Sequence, residues 1–164
     1  MSTEQKPERK RNRLIGFDYS TPGAYFITVC TDKRRNLLCQ LVGGGDLDAP
    51  EMRLTETGKI VERYILSASK MPGIIVDKFV IMPNHLHIIA FAERGVEGAA
   101  PYNSQIPRFV GALKRLCHKE AGEPFFQRSY HDRVIRNEKE YRKIWQYIDT
   151  NPIKWKEDCF YNEE

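Results

Sequence analysis

The chain has 164 residues, 41% of them apolar and 29% charged, the composition of one globular domain with a sizeable core. Its formal net charge is only +4, yet Lys and Arg cluster: Lys6, Arg9, Lys10, Arg11 and Arg13 crowd the N-terminus, and a second group lies within 108–119. Such clusters favour a polyanion partner, with a solubilising tail and a solvated helix face as the alternative, and no apolar run approaches the roughly 20 residues that span a bilayer.

Residues 1–12 are polar, charged and aperiodic, and read as a flexible basic arm. Ala24–Thr31 (AYFITVCT) is β-branched and aromatic, the pattern of a buried strand. A loop follows around Gly43, Gly44 and Gly45. From Thr55 a helix is predicted, with Ile60, Val61, Tyr64, Ile65 and Ala68 on one stripe and Pro72-Gly73 as its stop. Ile74–Met82 predicts a second strand, broken by Pro83-Asn84, and His85–Ala92 (HLHIIAFA) a third.

Residues 94–101 are a Gly- and Ala-rich loop, after which Ser104 can cap a second helix presenting Ile106, Val110, Leu113 and Cys117. Arg108, Arg115 and Lys119 repeat at the same spacing on another face, with Lys114 and His118 beside them. A phosphate backbone could follow that stripe, joined by Arg13, and solvation is the alternative. Phe125–Ile135 predicts a fourth strand, with Tyr130, His131 and Asp132 near its end as candidates to line a site or to form a turn. Asn137 and Glu140 form a capping-box pattern that opens a third helix, closed by Asn151-Pro152.

This order of elements predicts an α+β domain over 13–158, a mostly antiparallel sheet of four to five strands with helices packed on it, followed by a tail at 159–164. The cysteines Cys30, Cys39, Cys117 and Cys159 form no CxxC pair, and the N-terminus has no signal-peptide pattern. Buried thiols in the reducing cytoplasm are therefore expected.

His85 and His87 alternate along the third strand, so they share one sheet face with Cβ atoms about 7 Å apart. That spacing suits two imidazoles on one metal ion, and two histidines filling a strand end with hydrogen bonds are the alternative. The cysteine spacing excludes a zinc finger. Ile89 and Phe91 continue the histidine face, and a helix is expected to cover it.

Two stretches carry a family likeness. Val80–Ile89 (VIMPNHLHII) resembles the histidine–hydrophobic–histidine motif of the IS200-like tyrosine transposases, members of the HUH group of single-strand endonucleases. Gln146–Lys154 (QYIDTNPIK) resembles the catalytic helix of that family, and its YI start and NP end are most similar to the branch tied to repetitive extragenic palindromes, the REP-associated tyrosine transposases. The likeness runs from about Tyr25 to Trp155, nearly the whole domain.

The resemblance implies a ferredoxin-like HUH-endonuclease architecture and places the nucleophile at Tyr147. Helix geometry accommodates this. With Tyr141 at 0°, Ile144 falls at about 300°, Trp145 at about 40° and Ile148 at about 340°, which puts Tyr141 within the apolar stripe. Tyr147 falls at about 240°, on the flank, and Asn151 at about 280°, one turn on. Geometry alone leaves Tyr147 equally an amphipathic boundary residue.

His85, His87 and Asn151 are the implied metal ligands. Related enzymes commonly carry glutamine where this chain has Asn151, whose side chain is one methylene shorter and precedes a proline. The implied ion is Mg²⁺ or Mn²⁺, although imidazole ligands by themselves favour manganese or zinc. The implied chemistry is cleavage of single-stranded or hairpin DNA through a 5′-phosphotyrosine with release of a 3′-hydroxyl, in the nucleoid-associated cytoplasm. IS200-like enzymes are homodimers that exchange the tyrosine helix, whereas the REP-associated branch acts as monomers, so both states stay open. Two other readings stay open as well: a non-catalytic module binding single-stranded or hairpin DNA, and a metal-dependent hydrolase with water as nucleophile.

Overall fold

A computed structural model describes residues 21–43, 51–93 and 105–162. Arg13, the basic arm, Ser104 and the glycine- and alanine-rich loop lie outside the described residues. The strands are β1 (Gly23–Cys30), β2 (Cys39–Val42), β3 (Glu51–Leu54), β4 (Ile74–Ile81), β5 (His85–Ala92) and β6 (His131–Ile135), and the helices are α1 (Glu56–Ser67), α2 (Gln105–Ala121) and α3 (Glu138–Thr150). The main sheet has the order β4-β5-β1-β6, and every neighbouring pair is antiparallel. With α1 between β1 and β4 and α2 between β5 and β6, this is the predicted ferredoxin-like α+β arrangement. A small β2–β3 hairpin is inserted after β1.

The two faces of the sheet bury two separate apolar clusters. Tyr25, Ile27, Val29, Leu86 and Ile88 meet Val61 and Ile65 of α1 and Ile106, Phe109, Val110 and Leu113 of α2. On the opposite face Ile89 and Ile135 meet Ile144 and Ile148 of α3. The strict alternation of β1 and β5 sorts their side chains between these layers. It sends His85 and His87 to the α3 side, as their spacing predicts.

Local chemistry sets the helix starts. Thr55 Oγ1 accepts the Gly58 amide at 3.0 Å, and Asn137 Oδ1 accepts the Glu140 amide at 2.9 Å. Glu140 reaches back to the Arg136 amide (2.9 Å), so the box at α3 closes one residue earlier than the sequence pattern implies.

The predicted fourth strand is shorter than Phe125–Ile135. Lys114 is only 9% exposed, and its Nζ donates to the carbonyls of Gln127 (2.8 Å), Ser129 (2.8 Å) and Arg128 (3.4 Å). A lysine takes the carbonyls that a strand partner would otherwise take, and the ladder resumes only at His131. Burial lowers the Lys114 pKa to about 8. Lys114 is thus an internal clasp between α2 and the segment before β6, away from the phosphate-tracking face expected from the sequence.

Candidate active site

The site forms where the N-terminal end of β5 meets the C-terminal end of α3. His85 and His87 are buried, and their Nε2 atoms face each other at 3.1 Å. Each ring is held from behind. His85 Nδ1 donates to Asn84 Oδ1 at 2.9 Å, while Asn84 Nδ2 donates to the Phe160 carbonyl at 2.8 Å and the Arg34 carbonyl at 3.3 Å. Those carbonyls orient the amide, so Asn84 leaves the His85 Nε2 as a bare lone pair. His87 Nδ1 lies 2.8 Å from Thr28 Oγ1, a hydroxyl able to donate or accept. His87 can therefore turn either tautomer toward His85 without losing its support.

Tyr147 and Asn151 reach the same place from α3. The Tyr147 hydroxyl donates to Asp158 Oδ2 at 3.0 Å and lies 3.3 Å from His87 Nε2. Its ring is 40% exposed, packed edge-on against Phe26 at 6.2 Å. Asn151 is buried, and its Nδ2 donates to Asp158 Oδ2 at 2.9 Å. Its Oδ1 is buried without a hydrogen-bond partner among the described residues.

Asp158 is the residue that sequence reasoning missed. It follows the predicted end of the domain's last helix, in no motif, and only the fold brings it back. Potential ligand atoms of His85, His87 and Asp158 all lie within 4.8 Å of one another. Residues 159–162, expected as a tail, form a wall of the site: the Phe160 ring stacks on His85 at 4.5 Å, and its amide donates to Asp158 Oδ1 at 2.7 Å. The Arg34 guanidinium stands 5.0 Å over Phe160. Lys33 and Arg34 take left-handed φ values of 54° and 56°, unfavourable for non-glycine residues. That turn is held by Asn84 and by Asn162, which donates to the Arg34 carbonyl at 2.9 Å.

The electrostatics follow from burial. Desolvation pushes both histidines down, His85 to about 4 and His87 to about 3, with mutual repulsion adding to the shift at His87 and the Asp158 charge opposing it in both. Burial raises the Tyr147 phenol well above its ordinary range, and the Asp158 charge raises it further. For Asp158, burial acts upward, but hydrogen bonds from the Phe160 amide, Asn151 and Tyr147, with the charge of His85, bring the net shift down.

The donors suit a divalent cation. His85 presents a bare Nε2, His87 can present one, Asp158 is anionic, and the Asn151 oxygen is a buried acceptor with no donor among the described residues. Two imidazoles and two oxygens favour manganese or zinc over magnesium.

One consequence is testable on the metal-free protein. Both folded-state histidine pKa values lie below the roughly 6.5 of a free imidazole, so the unfolded chain binds the extra protons. The neutral rings therefore contribute full stability above about pH 6.5, and that contribution is lost as pH falls through the folded values. The melting midpoint should hold steady from pH 8 to 7 and drop toward pH 4. A His85→Ala/His87→Ala variant should drop less over the same range, and parallel curves for the two proteins would refute the assignment.

The remaining predicted residues separate between layers. The register pairs Thr28 with both His87 and His131, so exposed His131 shares the site's face, while Asp132, paired with Ile27, faces the other layer. Tyr130 packs against the α1–α2 core. Arg108, Arg115 and Lys119 are exposed on α2, across the sheet from the histidines, and His118 is occupied in accepting the Phe126 amide at 3.1 Å. On α3, Ile144 and Ile148 are buried as the helical phase predicts. Tyr141 packs at the edge of the cluster with its hydroxyl donating to Asp77 at 2.7 Å. Trp145 lies outside the cluster, exposed, with Lys78 Nζ 3.3 Å from its ring centre.

No family model matches the chain. It is 30% identical to an uncharacterized protein of Haemophilus influenzae, over 93% of each chain. Its structure is similar to that of a REP-associated tyrosine transposase bound to a REP hairpin, with a TM-score of 0.60 and 21% identity, over 81% of this chain and 68% of the other. The chain thus belongs to one family with the Haemophilus influenzae protein, and its fold is that of the REP-associated tyrosine transposases, the IS200-like branch that its MPNHLH and YIDTNP blocks resemble.

Proposed function

We propose that this protein is a tyrosine transposase that cuts and rejoins single-stranded DNA, with Tyr147 as nucleophile. The observation that carries this reading is the Tyr147 hydroxyl directed into the His85–His87–Asp158 cluster, 3.0 Å from the carboxylate and 3.3 Å from His87 Nε2. The hydroxyl is aimed inward, while the exposed part of the ring leaves a path for a strand from solvent. The phenol oxygen forms a bond to phosphorus, the bond from phosphorus to the 3′-oxygen breaks, and that oxygen takes up the proton given up by the phenol. The 5′-phosphotyrosine retains the ester's energy, so the same groups run backward to rejoin ends without ATP.

Mg²⁺ or Mn²⁺ held by His85, His87 and Asp158, with Asn151 Oδ1 beside them, would supply the Lewis acidity that stabilises charge on the phosphate oxygens. The protein's own groups do the positioning. Asp158 orients the phenol, Asn151 steadies Asp158, Asn84 and Thr28 fix the imidazoles, and the Phe26 and Phe160 rings limit access of water.

Tyrosine, histidines and aspartate all come from one chain, because α3 lies on the sheet that carries β5. Among the described residues these groups meet without a second copy, which favours action as a monomer over a homodimer with exchanged helices. No helix among the described residues is long and apolar enough to cross a membrane. By analogy with the REP-hairpin-bound transposase, the substrate proposed here is a single strand beside a hairpin, met at the nucleoid.

The test is covalency. Incubation with Mn²⁺ and a hairpin-flanked single strand should leave protein on DNA in a denaturing gel, and peptide mapping should locate the link at Tyr147. Fully paired duplex without a hairpin should not react. Cleavage without any adduct would instead establish a hydrolase with water as nucleophile, and binding without cleavage a DNA-binding module.

A further inference from the structure

The tyrosine helix carries a feature that the chemistry above does not use. Lys139, Lys143, Tyr147 and Asn151 recur every four residues along α3 and its cap. Each step advances about 6 Å along the helix and turns only about 40°, so the four residues form one slowly winding stripe. Its C-terminal half is the nucleophile and the site's buried amide. Its N-terminal half is two exposed lysines, neither paired with an acid among the described residues.

These lysines do not stand alone. An open groove of about 470 Å³ runs between α3 and the edge strand β6, lined by Arg133, Arg136, Asn137, Lys139, Glu140 and Lys143. Arg133 of β6 pairs directly with Phe26 of β1, the residue whose ring packs against Tyr147, which puts Arg133 on the site's face of the sheet. Glu140 is the one acid among the described residues that line the groove. The Arg136 amide, and after it the Arg133 guanidinium, engage its carboxylate and hold it below the usual range. Four cations against one anion leave a net charge of about +3 beside the stripe.

We propose that this groove binds the sugar-phosphate backbone of the single strand whose phosphate is delivered to Tyr147, an inference that rests on the DNA-cleaving reading above. A strand lying along Lys139 and Lys143 is led in helical steps to the nucleophile on the same layer. The basic stripe of α2 cannot do this, because the sheet lies between it and Tyr147. Edge strand β6 leaves that flank of the sheet open for the strand to pass.

The experiment compares two triple variants of equal charge change. Arg136→Ala/Lys139→Ala/Lys143→Ala alters the groove, and Arg108→Ala/Arg115→Ala/Lys119→Ala alters the exposed face of α2. All six side chains are exposed, so both variants should melt like the parent protein. Binding of a fluorescent single-stranded oligonucleotide is followed by anisotropy between about 50 and 200 mM salt. Each cation on a single-strand phosphate contributes about 0.7 to the slope of log affinity against log salt, so the groove variant should lose about 2 from it. Its affinity should then fall about sixteenfold less than the parent's over that fourfold salt range. The α2 variant should keep the parent slope. A parent-like slope in the groove variant, or equal losses in both, would overturn the proposal. Failure of the cleavage reading shows separately, as tight binding by the parent protein with no covalent adduct.

Discussion

Tyr147→Phe should abolish the covalent adduct and strand cleavage while leaving the fold and DNA binding nearly unchanged. The substitution removes one hydroxyl and keeps the ring against Phe26 and His87. Asp158 Oδ2 retains the Asn151 amide as donor, so no buried charge is stranded. Stability should shift by about 1 kcal/mol or less, the usual net worth of one hydrogen bond. Chemistry should fall to background, because the substitution removes the hydroxyl that is aimed into the cluster to form the ester link to phosphorus.

Tyr141→Phe is the informative control. It loses a hydroxyl of the same kind, donated to Asp77 at 2.7 Å on the outer flank of the helix, and should keep full activity. An adduct mapped to Tyr141 or Tyr130 would show that the assignment along the helix is wrong. Asn151→Ala should reduce activity without eliminating it, since it removes one buried donor and the support of Asp158 and leaves the histidines in place.

His85→Ala/His87→Ala should eliminate binding of Mn²⁺ in a calorimetric titration, and with it all cleavage. Asp158→Asn tests the member that the fold adds. It keeps the size of the side chain and removes its charge, and affinity should fall by at least the roughly 10–100-fold that loss of a supporting residue costs at metal sites. Asn84→Ala should fall within that same range, because it frees the His85 ring and the Arg34 turn together. Equal Mn²⁺ binding by the parent protein and the double histidine variant would exclude the metal site. Parent-like binding by Asp158→Asn would restrict it to the histidines and Asn151.

Much of this arrangement is local and could be read from the chain. Strand alternation puts His85 and His87 on one face, because successive side chains of any β-strand point to opposite sides. The 3.6-residue period puts Ile144 and Ile148 in the core and leaves Tyr147 on the flank. Thr55 and Asn137 mark helix starts because their side chains can satisfy an open backbone amide within three residues. The β2–β3 hairpin is not legible in the chain, because two four-residue strands of mixed polarity carry too few alternations to stand out.

What needed the tertiary structure was contact between segments distant in sequence. Asp158 has no spacing relation to His85, yet the chain turns after α3 and lays its carboxylate among the imidazoles. Lys114 shares the helical period of a basic stripe but is drawn inward by three carbonyls that no local pattern announces. Most consequential was the layering. Periodicity shows that α2 bears a basic face, but not that the sheet separates that face from Tyr147 and leaves the lysines of α3 beside it. That follows from the strand order β4-β5-β1-β6 and from the alternation that assigns Leu86 and Ile88 to one core and Ile89 to the other. A period identifies the faces of one element, and only the packing of elements against each other decides which face meets the site.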